Sequence, residues 1–236
     1  MPTFIHGKGT KTYIDEFDLS DYFNAADSTF SVETADITAF GASSRSFLPG
    51  LQTATMGLTG LWSADTDGSD EELNALLANA TSPLSTVAIQ AGTIGNKAIL
   101  MQSDELTYNI SSPVADVVSV SADFQATTDG TGASTAFGAL GNLSSVDNAA
   151  SSANGGFAIL HVPTNSIGGG VTTIKVQHSA DNATFADLIT FSTVAASTKT
   201  SELKAVSGTV NRYIRATAST AGSSGAITFM LSFARF

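Results

Sequence analysis

The nine residues from Ala54 to Trp62 read Ala-Thr-Met-Gly-Leu-Thr-Gly-Leu-Trp and alternate between apolar and small or polar side chains. Successive side chains of an extended strand point to opposite faces, so Met56 and Leu58 share one face while Thr55 and Thr59 share the other. A period of two predicts a half-buried strand. The recurrence of this pattern along the chain predicts the fold class.

The alternation recurs in both halves of the chain. Val118 to Phe124 predicts a second half-buried strand, and Ser85 to Ala91 and Ala98 to Gln102 flank a Gly/Asn-containing connection suited to a hairpin. Six more short strands separated by glycine-rich turns are predicted at 157–162, 171–179, 185–192, 201–206, 212–218 and 226–233. The chain is therefore predicted to be mainly β, an antiparallel β-sandwich or barrel with a small C-terminal β-sandwich.

One flanking helix is predicted at about residues 69–80. Ser69-Asp70-Glu71-Glu72 has the pattern of a capping box, in which Ser69 and Glu72 would bond to unpaired backbone amides. Leucines 73, 76 and 77 follow at helical spacing, and Pro83 lies beyond the end.

A stretch of small and polar residues divides the chain. Glycine, alanine and serine are too dense there to bury a core, so residues 129–154 are predicted to be a linker between a domain at 1–128 and a module at 155–236. A long loop inside one domain is the alternative.

Composition narrows the function classes. Only 13% of the residues are charged, and charge is depleted where interfaces form. No cysteine is present, which excludes thiolate metal sites and cysteine nucleophiles. Residues 1–130 hold 17 of the 21 acidic and 4 of the 10 basic residues, a net charge of −13 that disfavours nucleic-acid binding. We see no signal peptide or apolar run long enough for a membrane span, so synthesis in the cytoplasm is expected.

No catalytic, cofactor-binding or metal site is predicted, and we expect a protein that is not an enzyme. The three histidines, His6, His161 and His178, lack partners at metal-ligand spacing. The acidic run 65–72 does not fit a calcium-loop pattern, and the three glycines at 168–170 precede a β-branched segment instead of the helix that a phosphate site needs. Arginines 212 and 215 beside Tyr213 fit either an interface or a sugar platform.

Three blocks of the front half resemble the tail tube, or major tail, proteins of long-tailed bacteriophages. They are Lys8 to Ser20 with its Asp-Leu-Ser turn, Ala35 to Leu51 with Thr-Ala-Phe-Gly and Pro-Gly-Leu, and Met56 to Trp62 with Gly-Leu-Trp. The resemblance covers about residues 5–125, and it depends on the order of the blocks because each one alone consists of turn residues and alternation. The back half is similar to segments of phage structural proteins.

The resemblance implies homohexameric rings that stack into a hollow tube within the virion tail, among other virion proteins, with DNA passing through without specific binding. It implies an arm at about 34–51 that reaches a neighbouring ring, with Phe40, Gly41, Arg45, Phe47 and Pro49 as its candidate residues. The candidate lumen-facing acids are Asp104, Glu105, Asp116 and Asp123. The alternatives are a capsid decoration protein and, from another class, a carbohydrate-binding module.

Overall fold

The computed structural model describes residues 4–77, 81–90, 96–127, 135–141, 144–222 and 224–236. The strands of the front half are β1 Lys11–Ile14, β2 Phe17–Asp18, β3 Phe23–Asp36, β4 Phe47–Leu61, β5 Leu84–Ala88, β6 Lys97–Ser111 and β7 Ser119–Ala126. Those that follow are β8 Thr135–Gly141, β9 Val146–Asp147, β10 Gly156–Asn165, β11 Val171–Ser179, β12 Ala186–Thr190, β13 Val194–Ala195, β14 Thr200–Val206, β15 Tyr213–Ala221 and β16 Ile227–Arg235. One α-helix, α1 Ser69–Leu76, lies between β4 and β5.

All strand pairs in the two sheets are antiparallel, which confirms the predicted mainly β fold with one helix. The larger sheet follows the order β14-β10-β16-β8-β6-β5-β1-β2. The outer part of the long strand β6 leaves this path and pairs with β7, which continues through β4 to β3. The second sheet has the order β12-β11-β15-β9, with β13 beside β11.

The alternation predicted for β4 and β7 correctly identifies side chains that form the core of the front half. Met56 and Leu58 of β4 and Phe124 of β7 are almost fully buried and pack together, while Thr55 and Thr59 are exposed. Leu73 of α1 is fully buried in the same cluster, so the helix covers this face of the sheet.

The start of α1 differs from the predicted capping box. Gly68 is the N-cap and Ser69 already lies in the helix, so its hydroxyl cannot cap the first turn. That hydroxyl instead donates to the Leu61 carbonyl at 2.9 Å and accepts from the Ser63 amide at 3.0 Å. Ser69 therefore ties the helix to the end of β4. The helix ends at Leu76, and residues 78–80 of the predicted span lie outside the described residues.

The six strands predicted for the back half are present with small shifts of their ends, and they enclose a core. Leu160 of β10 and Phe233 of β16 pack against Ile174 of β11 and Ile214 of β15 in one buried cluster. The larger sheet therefore supplies one layer of the C-terminal sandwich, and the second sheet supplies the other.

Strand β10 packs against both halves of the chain, because each of its two faces is buried in a different core cluster. Leu160 points into the C-terminal core, whereas Phe157 and Ile159 pack in another cluster with Leu100 of β6 and Leu84 of β5. The predicted linker at 129–154 contains β8 and β9, and β8 pairs with β6 and β16. The halves share a sheet and a core, so residues 155–236 are not the separately packed module that composition indicated.

Candidate functional site

The predicted arm is a β-hairpin. β3 and β4 pair from Phe23 opposite Gly60 outward to Asp36 opposite Phe47, and residues 37–46 form the tip. The sequence indicated few strand residues here, yet most of the segment is extended. Gly41 has φ +90° in the tip, a backbone conformation that disfavours residues with a Cβ.

The outer half of this hairpin is a two-stranded ribbon. β7 pairs with β4 only from Thr55 to Leu61, so among the described residues the strand pairing of β4 before Thr55 is with β3 alone. Large hydrophobic side chains are exposed along the ribbon and its tip; they are Val32, Ile37, Phe40, Phe47, Leu48 and Leu51. A two-stranded hairpin is marginally stable in water, and a grouped apolar surface marks an interaction site.

The candidate arm residues lie at or near this tip. Phe40 is fully exposed, Phe47 is half exposed, and Arg45 is exposed. Pro49 lies opposite Thr34, next to an irregularity in the β3–β4 register. Proline has no backbone N–H to donate, so it suits an irregular, two-stranded position.

The sheet β3-β4-β7-β6 presents a polar face opposite its core. Register places Asp27, Gly57, Asp123 and Thr107 in one row across the four strands, and the Thr107 hydroxyl donates to the Asp123 carboxylate at 2.8 Å. Asp104 lies in the next row, opposite Gln125. The paired segments 23–36, 47–61, 103–111 and 119–126 contain no lysine or arginine.

The four predicted acids separate into three environments. Asp104 and Asp123 lie on the polar face, and Asp27, which is not among the predicted acids, lies there too. Asp116 is exposed in the loop 112–118 at the end of the sheet, where its carboxylate accepts from the Val117 amide. A strand prediction for 23–31 would have found Asp27.

Glu105 does not belong to this lining because its side chain points into the core. It is 8% exposed, and neither of its carboxylate oxygens has a hydrogen-bond partner among the described residues. Burial raises its pKa to about 8, because the charged form loses hydration that nothing replaces. The β6–β7 register shifts between Glu105 and Thr107, so Thr107 lies opposite Asp123 on the polar face.

The same sheet has two free edges. Among the described residues, β3 pairs only with β4, and the 104–111 part of β6 pairs only with β7. The four strands alternate in direction, so β3 and β6 run oppositely. The β6 edge of one copy could therefore continue into the β3 edge of another as an antiparallel pair.

In the part of the chain that the structure describes, no group of three metal-ligating side chains occurs. His161 is fully buried between the halves. Its Nδ1 lies 2.5 Å from the Asp15 carbonyl oxygen, to which it donates, and Nε2 accepts from the Thr86 hydroxyl at 2.8 Å. Burial lowers its pKa to about 4.

The remaining candidates have local partners. His178 is half-buried, and its Nδ1 accepts from the Asn211 amide. Arg212 lies over the Tyr213 ring and holds Asp147 with two hydrogen bonds of 2.7 and 2.6 Å. One face of this tyrosine is thus occupied, which leaves less room for a stacked sugar. Within the described ranges, no helix is long and apolar enough to cross a membrane.

The sequence matches no protein-family model, and it matches no curated protein. Among solved structures, the chain is similar to one from the virion of a native gene transfer agent particle, with 17% identity over 57% of this chain and 98% of that chain and a TM-score of 0.46. A chain from the tail of an empty gene transfer agent particle, computed with sixfold symmetry, shows 16% identity over 57% of this chain and 98% of that chain, with a TM-score of 0.44.

The SPP1 Dit protein, described as a paradigm of the hub adsorption apparatus in phages that infect Gram-positive bacteria, is similar over 95% of this chain and 97% of that chain. Its identity is 14% and its TM-score is 0.36. At these TM-scores none of the superpositions establishes a shared fold.

Proposed function

We propose that this chain is a bacteriophage virion protein that assembles into hexameric rings, and that the rings stack into the tail tube that conducts the genome. The sequence resemblance in residues 5–125 suggests this class. The observation that carries the proposal is the four-stranded sheet, whose two free edge strands run in opposite directions and whose polar face has no basic residue in its paired segments.

Lateral joining would close the sheet into a barrel. Free strand edges otherwise pair without control, and a closed barrel abolishes them. If β6 of each copy pairs with β3 of the next, the polar face can turn inward and the core, α1 and the C-terminal sandwich lie outside. The sheet order and strand directions support this arrangement.

The inward face suits the passage of DNA. Asp27, Asp104 and Asp123 present carboxylates, and the serine and threonine side chains around them offer no cation to hold phosphate. Like-charge repulsion keeps a polyanion from adhering to such a wall. In this proposal the protein is made in the host cytoplasm, is not an enzyme, and contacts further virion proteins at the tube ends.

Electron microscopy of the purified chain tests the proposal. We expect rings or tubes with a central hole, and monodisperse monomers over a wide range of concentration would contradict it. Solid trimers or particles without a hole would favour a capsid decoration protein instead.

A matched pair of variants tests the lateral edge. Leu106 lies at the free edge of β6 and is 56% exposed, so Leu106→Lys adds a charge there and should reduce ring formation. Val171 of β11 is 39% exposed on the second sheet, and Val171→Lys should leave ring formation unchanged. Equal effects of both variants would contradict lateral joining through β6.

A further inference from the structure

Each free edge strand of the four-stranded sheet carries a polar group that is shielded from solvent and has no hydrogen-bond partner. On β6 the group is the Glu105 carboxyl, whose two oxygens are unpaired among the described residues. On β3 it is the Ser28 hydroxyl, whose Oγ is likewise buried and unpaired there. An unpaired buried polar group costs free energy, so two of them on the joining edges indicate partners outside the single chain.

Register places the two groups in the same row of the sheet. Ser28 of β3 pairs with Met56 of β4. Met56 pairs with Phe124 of β7, which in turn pairs with Glu105 of β6. Side chains that are directly paired lie on one face, and Met56 and Phe124 are buried in the front core. Ser28 and Glu105 therefore both lie on the core side, which is the outer side of the proposed barrel.

The neighbouring core-side row has side chains of complementary size at its two ends. Ala26 of β3 lies at one end of that row, and Tyr108 of β6 lies at the other. On this face β3 thus brings alanine and serine to its edge, whereas β6 brings tyrosine and glutamate. Large side chains beside small ones interdigitate, so β6 of one copy fits against β3 of the next.

We propose that the Glu105 carboxyl of one copy hydrogen-bonds to the Ser28 hydroxyl of the next copy, and that this bond sets the register of the ring seam. The inference rests on the proposed lateral joining of β6 to β3 and identifies the residues that select its register. Side chains directly opposite in an antiparallel pair have Cβ atoms about 5 Å apart, and diagonal neighbours lie at ~7–8 Å. The long glutamate side chain reaches the hydroxyl in either case, so the bond allows the stagger that a closed barrel requires.

The composition of the β3 edge makes the bond selective. β3 is regular from Ala25 to Val32, between its two register irregularities. The core-side residues of this stretch are Ala26, Ser28, Phe30 and Val32, so the serine supplies its one polar side chain on that face. A seam shifted to place Glu105 beside Val32 would leave both polar groups buried and unpaired, which should weaken association by about tenfold or more.

A double-mutant cycle tests the bond. Ser28→Ala leaves the Glu105 carboxyl without a partner in the seam, so ring formation should weaken by about tenfold. Adding Glu105→Met removes the carboxyl at similar side-chain length, and the double variant should form rings to within a few-fold of the natural chain. Sedimentation over a concentration series measures association, and circular dichroism checks that each variant keeps the fold.

Ser31→Ala is the matched control for the loss of a serine hydroxyl. Ser31 lies on the same edge strand, but it is exposed and on the polar side. The control should leave ring formation unchanged. Equal effects of Ser28→Ala and Ser31→Ala, or a double variant that associates more weakly than Ser28→Ala, would overturn the proposed bond.

Disulfide trapping reads the register directly, because the natural chain has no cysteine. Ser28→Cys and Glu105→Cys are purified separately, mixed and oxidised, and we expect covalent dimers that contain one chain of each kind. Val32→Cys replaces Ser28→Cys in the control, because Val32 lies about 14 Å further along the same face at ~3.4 Å per residue. Cysteines with Cα atoms more than ~7 Å apart do not bridge, so the control should give roughly tenfold fewer dimers.

The outcomes separate the two proposals. Rings that form without coupling between positions 28 and 105, and without an excess of trapped dimers over the control, would overturn the bond and leave the proposed function intact. A natural chain that forms no rings, together with no trapped dimers, would overturn both.

Discussion

Removing the buried carboxyl group of Glu105 should stabilise the protein, and the gain should grow with pH. Glu105 is 8% exposed, its oxygens have no partners among the described residues, and its pKa is about 8 in the folded chain against an ordinary value of 4.5. The folded state therefore holds a proton that the unfolded state releases as pH rises above the ordinary value. The contribution of Glu105 to the free energy of unfolding is therefore fully present below pH 4.5 and is lost as pH rises towards 8.

The size of the expected stabilisation follows from the interval between the ordinary pKa of Glu105 and pH 7. Each pKa unit is worth about 1.4 kcal/mol, so the raised pKa costs roughly 3 kcal/mol at pH 7. Glu105→Gln keeps the shape and removes the titration. We expect the variant to match the natural chain near pH 4.5 and to exceed it by roughly 3 kcal/mol in free energy of unfolding at pH 7.

Urea unfolding of unassembled protein over pH 4.5 to 8 measures this difference. The lowered pKa of His161 gives the opposite trend below its ordinary value of 6.5, but both chains share it and it cancels in the comparison. Glu33→Gln, on the exposed ribbon, is the matched control for the loss of one carboxylate. A constant difference between Glu105→Gln and the natural chain at all pH values would refute the reasoning.

Two further predictions concern the polar face and the junction of the halves. The triple variant Asp27→Lys/Asp104→Lys/Asp123→Lys should make assembled tubes retain DNA at low salt and release it as salt rises. Asp181→Lys, on a back-half turn, is the control and should not retain DNA. A filter-binding assay measures the retention, and equal retention by both variants would argue against an inward polar face. Deleting residues 155–236 should give insoluble protein, because Leu84 and Leu100 lose the Phe157 and Ile159 contacts that bury them; a soluble, cooperatively unfolding fragment would contradict the shared core.

The sequence predicts those strands whose two faces differ. In β4 and β7 one face meets the core and the other meets water, so hydrophobicity alternates and the pattern is readable. β3 has both faces exposed along most of its length, and its sequence Phe-Asn-Ala-Ala-Asp-Ser-Thr-Phe-Ser-Val-Glu-Thr-Ala-Asp therefore shows no such period. The arm was predicted only from the resemblance, because nothing in its local pattern requires a strand.

Two predictions failed for the same physical reason: that Glu105 belongs to the polar lining, and that residues 155–236 form a separate module after a linker. In both cases burial depends on partners that are distant in sequence. Glu105 continues the alternation of β6, and only the paired β7 shows that its face is the core side. The apolar run of β10 predicts a strand, but whether its second face meets solvent or the front half depends on β5 and β6. Composition indicated a linker at 129–154, whereas pairing of β8 with β6 and β16 is a long-range property.

The two free edges need protection before assembly, and the structure supplies it. β6 has a register irregularity at Glu105 to Thr107, and β3 has irregularities at Phe23 to Ala25 and at Val32 to Thr34. Bulges interrupt an edge and twist it away from flat pairing, which protects it against uncontrolled association. In the proposed ring, β6 of each copy pairs with β3 of the next, and a difference between the two edges would direct growth towards a closed ring instead of an open aggregate.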